Sequence, residues 1–95
     1  MSDLLRVEVD GDRLCLSGEL DLSSTSTLTD ALAAHDGQEV VLDLAGVTFL
    51  DSTGIRALVE ARRARAGVRV VNPTEAIRRL FDLTGTLGVL LDEDA

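Results

Sequence analysis

Aromatic side chains are almost missing from this 95-residue chain: Phe49 and Phe81 are the only two, with no Trp and no Tyr. Modules that read single-stranded nucleic acid stack bases on surface aromatics, and this chain has too few to do so. Lysine is absent too. The nine basic residues are all Arg, and 17 acidic residues leave a formal net charge of −8. Such a chain repels phosphate backbones and anionic membrane surfaces and attracts a basic protein partner. Cys15 is the single cysteine, which excludes an internal disulfide and suits a reducing compartment. There is one Pro and no Gly/Ser-rich run, so no linker is expected. No apolar run approaches the roughly 20 residues that span a bilayer. The start, Met1-Ser2-Asp3-Leu4-Leu5-Arg6, has no basic stretch ahead of an apolar one, so no signal peptide is expected. These absences together predict a cytoplasmic protein with no nucleic-acid and no membrane partner.

What is present is the balance of a folded domain: 45% hydrophobic and 27% charged residues. The length allows one domain, residues 1–95, with a single core built from Leu, Val, Ile and Ala. Leu5, Val7 and Val9 alternate with Arg6, Glu8 and Asp10, the pattern of a strand with one face on the core. Asp10-Gly11-Asp12 signals a turn. Leu14 and Leu16 alternate with Arg13, Cys15 and Ser17 to complete an antiparallel hairpin. After Gly18-Glu19-Leu20-Asp21 comes Ser23-Ser24-Thr25-Ser26, rich in capping residues. The i, i+3, i+4 spacing of Leu28, Ala31 and Leu32 predicts a helix to about His35, stopped by Asp36-Gly37. Val40 to Leu44 is nearly continuous apolar sequence and predicts a strand buried on both faces. Gly46 is expected to begin a connection anchored by Val47, Phe49 and Leu50.

The next helix is expected to open at Ser52 or Thr53, with Ile55, Leu58 and Val59 inward, Arg56, Glu60 and Arg63 outward, and Gly67 as its stop. Val68, Val70 and Val71 predict a fourth strand. A third helix starts with either Asn72 capping ahead of Pro73 or Thr74 capping ahead of Glu75, the second being preferred. It buries Ile77, Leu80 and Phe81 and stops at Gly85. Leu87 to Leu91 predicts a short fifth strand, and Asp92-Glu93-Asp94-Ala95 an acidic tail. The order β-β-α-β-α-β-α-β implies an α/β fold: a mixed, mostly parallel sheet of about four to five strands with three helices and right-handed crossovers.

The chemistry concentrates in Asp51-Ser52-Thr53-Gly54. Ser, Thr and Asp at a helix start are commonly caps and nothing more. The same position offers more, because a helix N-terminus presents unpaired N–H groups and the positive end of the dipole. A phosphate on Ser52 would add roughly −1.5 to −2 charges without breaking the helix. Asp51 beside it would sharpen the contrast between the two states. Gly54 would allow close approach of a partner, and Thr53 is a second hydroxyl in the same turn.

Four separated stretches, Gly18-Glu19-Leu20-Asp21, Val41-Leu42-Asp43-Leu44, Val47 through Ile55 and Arg79-Leu80-Phe81-Asp82-Leu83-Thr84-Gly85, resemble the STAS domain, and more closely the bacterial anti-sigma factor antagonists. The resemblance covers nearly the whole chain. It implies regulation of transcription by partner switching. In that scheme an anti-sigma factor that is also a serine protein kinase binds the unphosphorylated antagonist. It then phosphorylates the serine that follows the motif's aspartate, here Ser52, and the modified antagonist is released. A protein serine phosphatase resets it. The resemblance also places Asp21 close to that serine, with a cap or loop role as its other reading. ATP would belong to the kinase, so this chain is expected to need no cofactor and to be no enzyme. Many members carry a further helix after the last strand, whereas only four residues follow Leu91 here.

Other readings stand beside this one. Some STAS domains are scaffolds without a phosphorylation cycle, for example accessory subunits of lipid-transport ATPases. A Ser-His-Asp arrangement would need His35, the only His, and no Gly-x-Ser-x-Gly elbow is present. Small-ligand binding at the same helix start lacks a phosphate-cradling motif such as Gly-x-x-x-x-Gly-Lys. Cys15 reads as an inert strand residue. Arg56, Arg62, Arg63, Arg65 and Arg69 read as a solvated face.

Overall fold

The computed structural model describes residues 4–35, 38–64 and 67–91. The expected stops at Asp36-Gly37, and the tail after Leu91, lie outside the described residues. The elements run β1 (Arg6–Asp10), β2 (Arg13–Leu20), α1 (Thr25–Ala33), β3 (Val40–Leu50), α2 (Ser52–Ala64), β4 (Val68–Val71), α3 (Glu75–Leu83) and α4 (Leu87–Leu90). The four strands form one sheet in the order β1-β2-β3-β4. β1 and β2 pair antiparallel through the Gly11-Asp12 turn, while β2–β3 and β3–β4 are parallel. The α/β fold with a mixed, mostly parallel sheet is therefore the one expected.

Two crossovers of the same hand that step the same way across a sheet put their helices on one face. Burial shows that face: Leu14, Leu16, Val40, Leu42, Leu44, Val68 and Val70 are buried under Leu28, Leu58, Ile77 and Phe81 from the helices. The other face is open and carries Arg13, Cys15, Asp43 and Arg69. β3 was expected to be buried on both faces. Its first half alternates instead, with Val41 and Asp43 only half-buried, because no helix covers their side. β1 is corrected the same way. Leu5 is buried and Val7 packs partly against the core, but Val9 is 59% exposed near the hairpin turn.

A second correction concerns Gly46 to Leu50, which continues β3 rather than leaving the sheet. Asp43 to Gly46 takes three steps where Cys15 to Ser17 takes two, and Val47 to Phe49 takes two where Gly18 to Glu19 takes one. Each shift is a bulge that absorbs an extra residue on β3. The bulges let Leu44, Val47 and Leu50, spaced by three, all point into the core. Gly18 serves this irregular stretch: its φ is +95°, and a Cβ there would meet the Leu4 carbonyl oxygen.

The C-terminal segment departs further from expectation. Leu87 to Leu91 was expected as a strand. It forms one helical turn, and Leu91 alone joins the sheet, in a single parallel bridge to Val70. Leu87, Leu90 and Leu91 are spaced i, i+3, i+4 and face the core, whereas Gly88 and Val89 are exposed. The helical period thus wins over a short apolar run. The alternatives for the start of α3 resolve to Thr74, whose Oγ1 accepts the Ile77 N–H at 3.2 Å. Asn72 has φ +58°, outside the extended region a cap residue uses.

Asp43 ties the open face together. Its Oδ2 accepts from Arg13 Nη1 at 2.6 Å and from Asn72 Nδ2 at 3.3 Å, and its Oδ1 accepts the Ala45 N–H at 3.0 Å. Burial pushes this carboxyl up. The Ala45 N–H, Arg13 and Asn72 outweigh that and hold it below its ordinary value of 3.8. A lowered folded value means that the stabilisation is complete above pH 3.8 and disappears as pH falls through the lower folded value. Asp43→Asn is therefore expected to lower stability by about 1 kcal/mol at pH 7, after allowing for screening of the partly exposed Arg13. That gap should narrow progressively as pH falls below 3.8. Urea melts at pH 7 and at a series of lower pH values check this; a gap of unchanged size across the series would refute the ionic role.

Candidate functional site

The C-terminal ends of β2 and β3 lie side by side, with Leu20 in register with Leu50. Asp21 and Asp51 therefore leave the sheet as neighbours, one leading towards α1 and the other into α2. Asp51 is the cap of α2: its Oδ1 accepts the Gly54 N–H at 2.9 Å, and the Ile55 N–H bonds its carbonyl at 3.0 Å. Ser52 is the first helical residue and is exposed. With the cap supplied by Asp51, the Ser52 hydroxyl makes no hydrogen bond to any described residue, and it points from the positive end of the α2 dipole.

Thr53 is half-buried and lines a groove of about 610 Å³ between α1 and α2. The two hydroxyls of this turn thus have different surroundings. Gly54 is buried, and a Cβ on it would lie 2.3 Å from the Leu20 carbonyl oxygen and 2.6 Å from Leu50 Cδ1. What it admits is α2 onto β2 of its own chain. That contact also seats the first turn of α2 against the peptide that leads into Asp21.

The Asp21 carboxylate is engaged by its own loop. Ser23 donates to Oδ1 through both its hydroxyl at 2.7 Å and its N–H at 3.0 Å. Ser24 is buried. Its Oγ accepts the Asp21 N–H at 2.9 Å and donates to the Glu19 carbonyl at 2.8 Å. The Ser23 hydroxyl bond, opposed by some desolvation and helped by Ser24, holds the Asp21 carboxyl below its ordinary value. It is therefore charged at neutral pH. The rim that bears Ser52 carries two fixed carboxylates, each oriented by N–H groups of its own turn.

Two apolar residues at this rim were not singled out by sequence. Leu22 is 75% exposed, and Phe49, expected to anchor a packed connection, is 46% exposed. For Leu22 the available signal was an apolar residue set between Asp21 and Ser23. For Phe49 it was a position between Val47 and Leu50, the two residues that do turn inward.

The remaining candidates are not brought to the rim. His35 Nδ1 lies 3.0 Å from the Ala31 carbonyl, at the far end of α1 from Asp21. Between it and Ser52 runs the length of β3, about 30 Å at 3.3 Å per residue. Cys15 is half-buried on the open sheet face, in register with Asp43. Arg56 pairs with Glu60 at 3.5 Å, and Arg62 donates to the Val68 carbonyl at 2.7 Å. Arg69 is on the open sheet face, and Arg65 lies outside the described residues. No helix among the described residues is long and apolar enough to cross a membrane.

Comparison with known proteins agrees with this geometry. The family model described as "Mlab, STAS domain" matches residues 5–92. The structure of an anti-sigma factor antagonist from Mycobacterium paratuberculosis is 30% identical, with a TM-score of 0.74, covering 94% of this chain and 83% of that one. The anti-sigma factor antagonist SpoIIAA in its unphosphorylated form shares the fold, with a TM-score of 0.67 at 20% identity over 95% of this chain and 88% of its own. Both of these solved structures are anti-sigma factor antagonists, and the chain belongs to the STAS domain family.

Proposed function

We propose that this chain is an anti-sigma factor antagonist that works by partner switching, with Ser52 as the phosphorylated residue. One observation carries the reading. Ser52 is exposed at the first position of α2 while Asp51 supplies the cap, so its hydroxyl is free to react and the helix does not depend on it. A phosphate there meets the helix dipole favourably and leaves the fold in place. The unphosphorylated rim, with Leu22 and Phe49 exposed beside Asp21 and Asp51, binds an anti-sigma factor that is also the serine kinase. Phosphate adds charge at the centre of that contact and releases the partner. A serine phosphatase returns the chain to its binding state. Exposure favours Ser52 over the half-buried Thr53 as the acceptor.

The test is incubation with the cognate anti-sigma kinase and ATP, followed by peptide mass spectrometry. One phosphoryl group on Ser52 is expected. An unmodified chain would favour a STAS scaffold without a phosphorylation cycle, and a phosphoryl group on Thr53 alone would overturn the assignment of the residue.

A further inference from the structure

The two edges of the sheet are not alike. At one edge Leu91 bridges to Val70 of β4. At the other, no described residue pairs with the outer side of β1. Asp10 and Arg13 face each other across the two-residue Gly11-Asp12 turn, and a two-residue hairpin closes on a hydrogen-bonded pair. Alternation along the ladder then turns the N–H and C=O groups of Arg6, Glu8 and Asp10 towards β2. Those of Leu5, Val7 and Val9 turn outward, where nothing described meets them.

Free edges are ordinarily protected by charge, and the sign pattern here decides what this edge excludes. Two copies of β1 can pair antiparallel only in registers that set outward-turned residues against each other. A twofold axis at Glu8 sets Glu8 against Glu8, and one at Arg6 sets Arg6 against Arg6. An axis at Val7 instead sets Arg6 against Glu8 of the second copy, twice by symmetry. It also sets Val7 against Val7 and Leu5 against Val9. Arg6 and Glu8 would then occupy the non-hydrogen-bonded pairs, where side chains are closest and opposite charges help. Val9, 59% exposed in the single chain, would lie against Leu5.

We propose that the outer edge of β1 is a self-association surface, on which a second copy of this chain pairs antiparallel about Val7 to form a continuous eight-stranded sheet. The occupant is a second copy because the strand is complementary to itself in charge and in apolar face. The axis crosses β1 opposite Leu16, in the middle of the sheet, so the two Ser52 rims point to opposite ends and remain exposed.

The test is sedimentation equilibrium of the full chain up to about 1 mM, a range suited to a small interface, at 0.15 M salt to screen repulsion between two chains of charge −8. The mass should rise from 10.1 kDa towards twice that value with concentration. Val7→Pro removes an N–H that β2 does not use, so it should weaken the dimer at least roughly tenfold and leave the circular dichroism of the monomer intact. Arg6→Glu should weaken it similarly, and the swap Arg6→Glu with Glu8→Arg should restore it. If Val7→Pro fails to fold, the charge swap decides alone. A mass fixed at 10.1 kDa throughout would leave the edge to solvent or to another protein's strand and overturn the proposal. So would a dimer indifferent to Val7→Pro and to the charge reversal.

Discussion

Ser52→Ala is expected to bind the anti-sigma partner persistently, with kinase and ATP present or absent, while the phosphorylated wild type lets go. Complete switching from bound to free requires the modification to weaken the complex by roughly 10⁴-fold, about 5.5 kcal/mol. A doubly charged group confined in a dry contact can supply that much, since an uncompensated buried charge costs several kcal/mol. Here Asp21 and Asp51 already place two negative charges at the rim, and a phosphate on Ser52 adds to them. Ser52→Asp carries one charge instead of nearly two, so a smaller loss is expected, on the order of 10²-fold. Neither variant should shift stability beyond about 0.5 kcal/mol. The residue is exposed, its hydroxyl is not part of the cap, and an acidic residue in a first helical turn is favourable. Calorimetric titration with the anti-sigma partner, paired with thermal melts, separates binding from folding. Equal affinities for Ser52→Ala and Ser52→Asp would end the switch reading and leave the fold untouched.

Gly54→Ala should be strongly destabilising. The added carbon would sit 2.3 Å from the Leu20 carbonyl oxygen and 2.6 Å from Leu50 Cδ1. The first of these is backbone of a central strand and cannot swing aside. Alanine's helix preference over glycine, about 1 kcal/mol at most in a helix interior, opposes the clash but does not match it. Overpacking of this kind costs about 3 kcal/mol. For a domain of this size that lowers Tm by roughly 12–24 °C. Gly88→Ala is the internal control: it also lies in a helix, but a Cβ there meets nothing within 4 Å. Its Tm should stay level or rise by a few degrees, as glycine-to-alanine changes do at unstrained sites. A Gly54→Ala melt within a few degrees of wild type would show that α2 can slide from β2 at little cost.

How far the sequence could be read depended on whether a residue's neighbours in the chain determine its surroundings. The hairpin, the opening of α2 at Ser52, β4 and the Thr74 cap are local matters of alternation, capping oxygens and turn residues, and all were legible; α1 follows its polar cluster, but Ser24 makes no side-chain cap there and bonds back to Asp21 and Glu19 instead. The second half of β3 was not, because Leu44, Val47 and Leu50 are spaced by three and a strand shows a period of two unless bulges intervene. The α4 turn was hidden for a related reason: Leu87, Leu90 and Leu91 sit in a run too short to separate helix from strand. That only one face of the sheet is covered could not be seen at all, since Val40 and Val41 are the same residue with opposite fates. At the site, Asp51-Ser52-Thr53-Gly54 was found from its pattern. The division of work within it needed coordinates: Asp51 caps, Ser52 is spare, Thr53 turns to a groove and Gly54 admits Leu20. Leu22 and Phe49 were missed because exposure is a tertiary property.

The bulged extension of β3 also bears on kinetics. Because that strand stays hydrogen-bonded to β2 as far as Leu50, the rim is carried by sheet and not by a loop that must first settle. Local opening there would require breaking a parallel ladder at the centre of the domain. A partner then meets a surface already in its bound shape, and encounter pays little ordering entropy. Association should follow a single exponential whose rate rises linearly with partner concentration, with no plateau set by a prior rearrangement of this chain. Differences in affinity among rim variants would consequently appear in how long complexes last rather than in how fast they form.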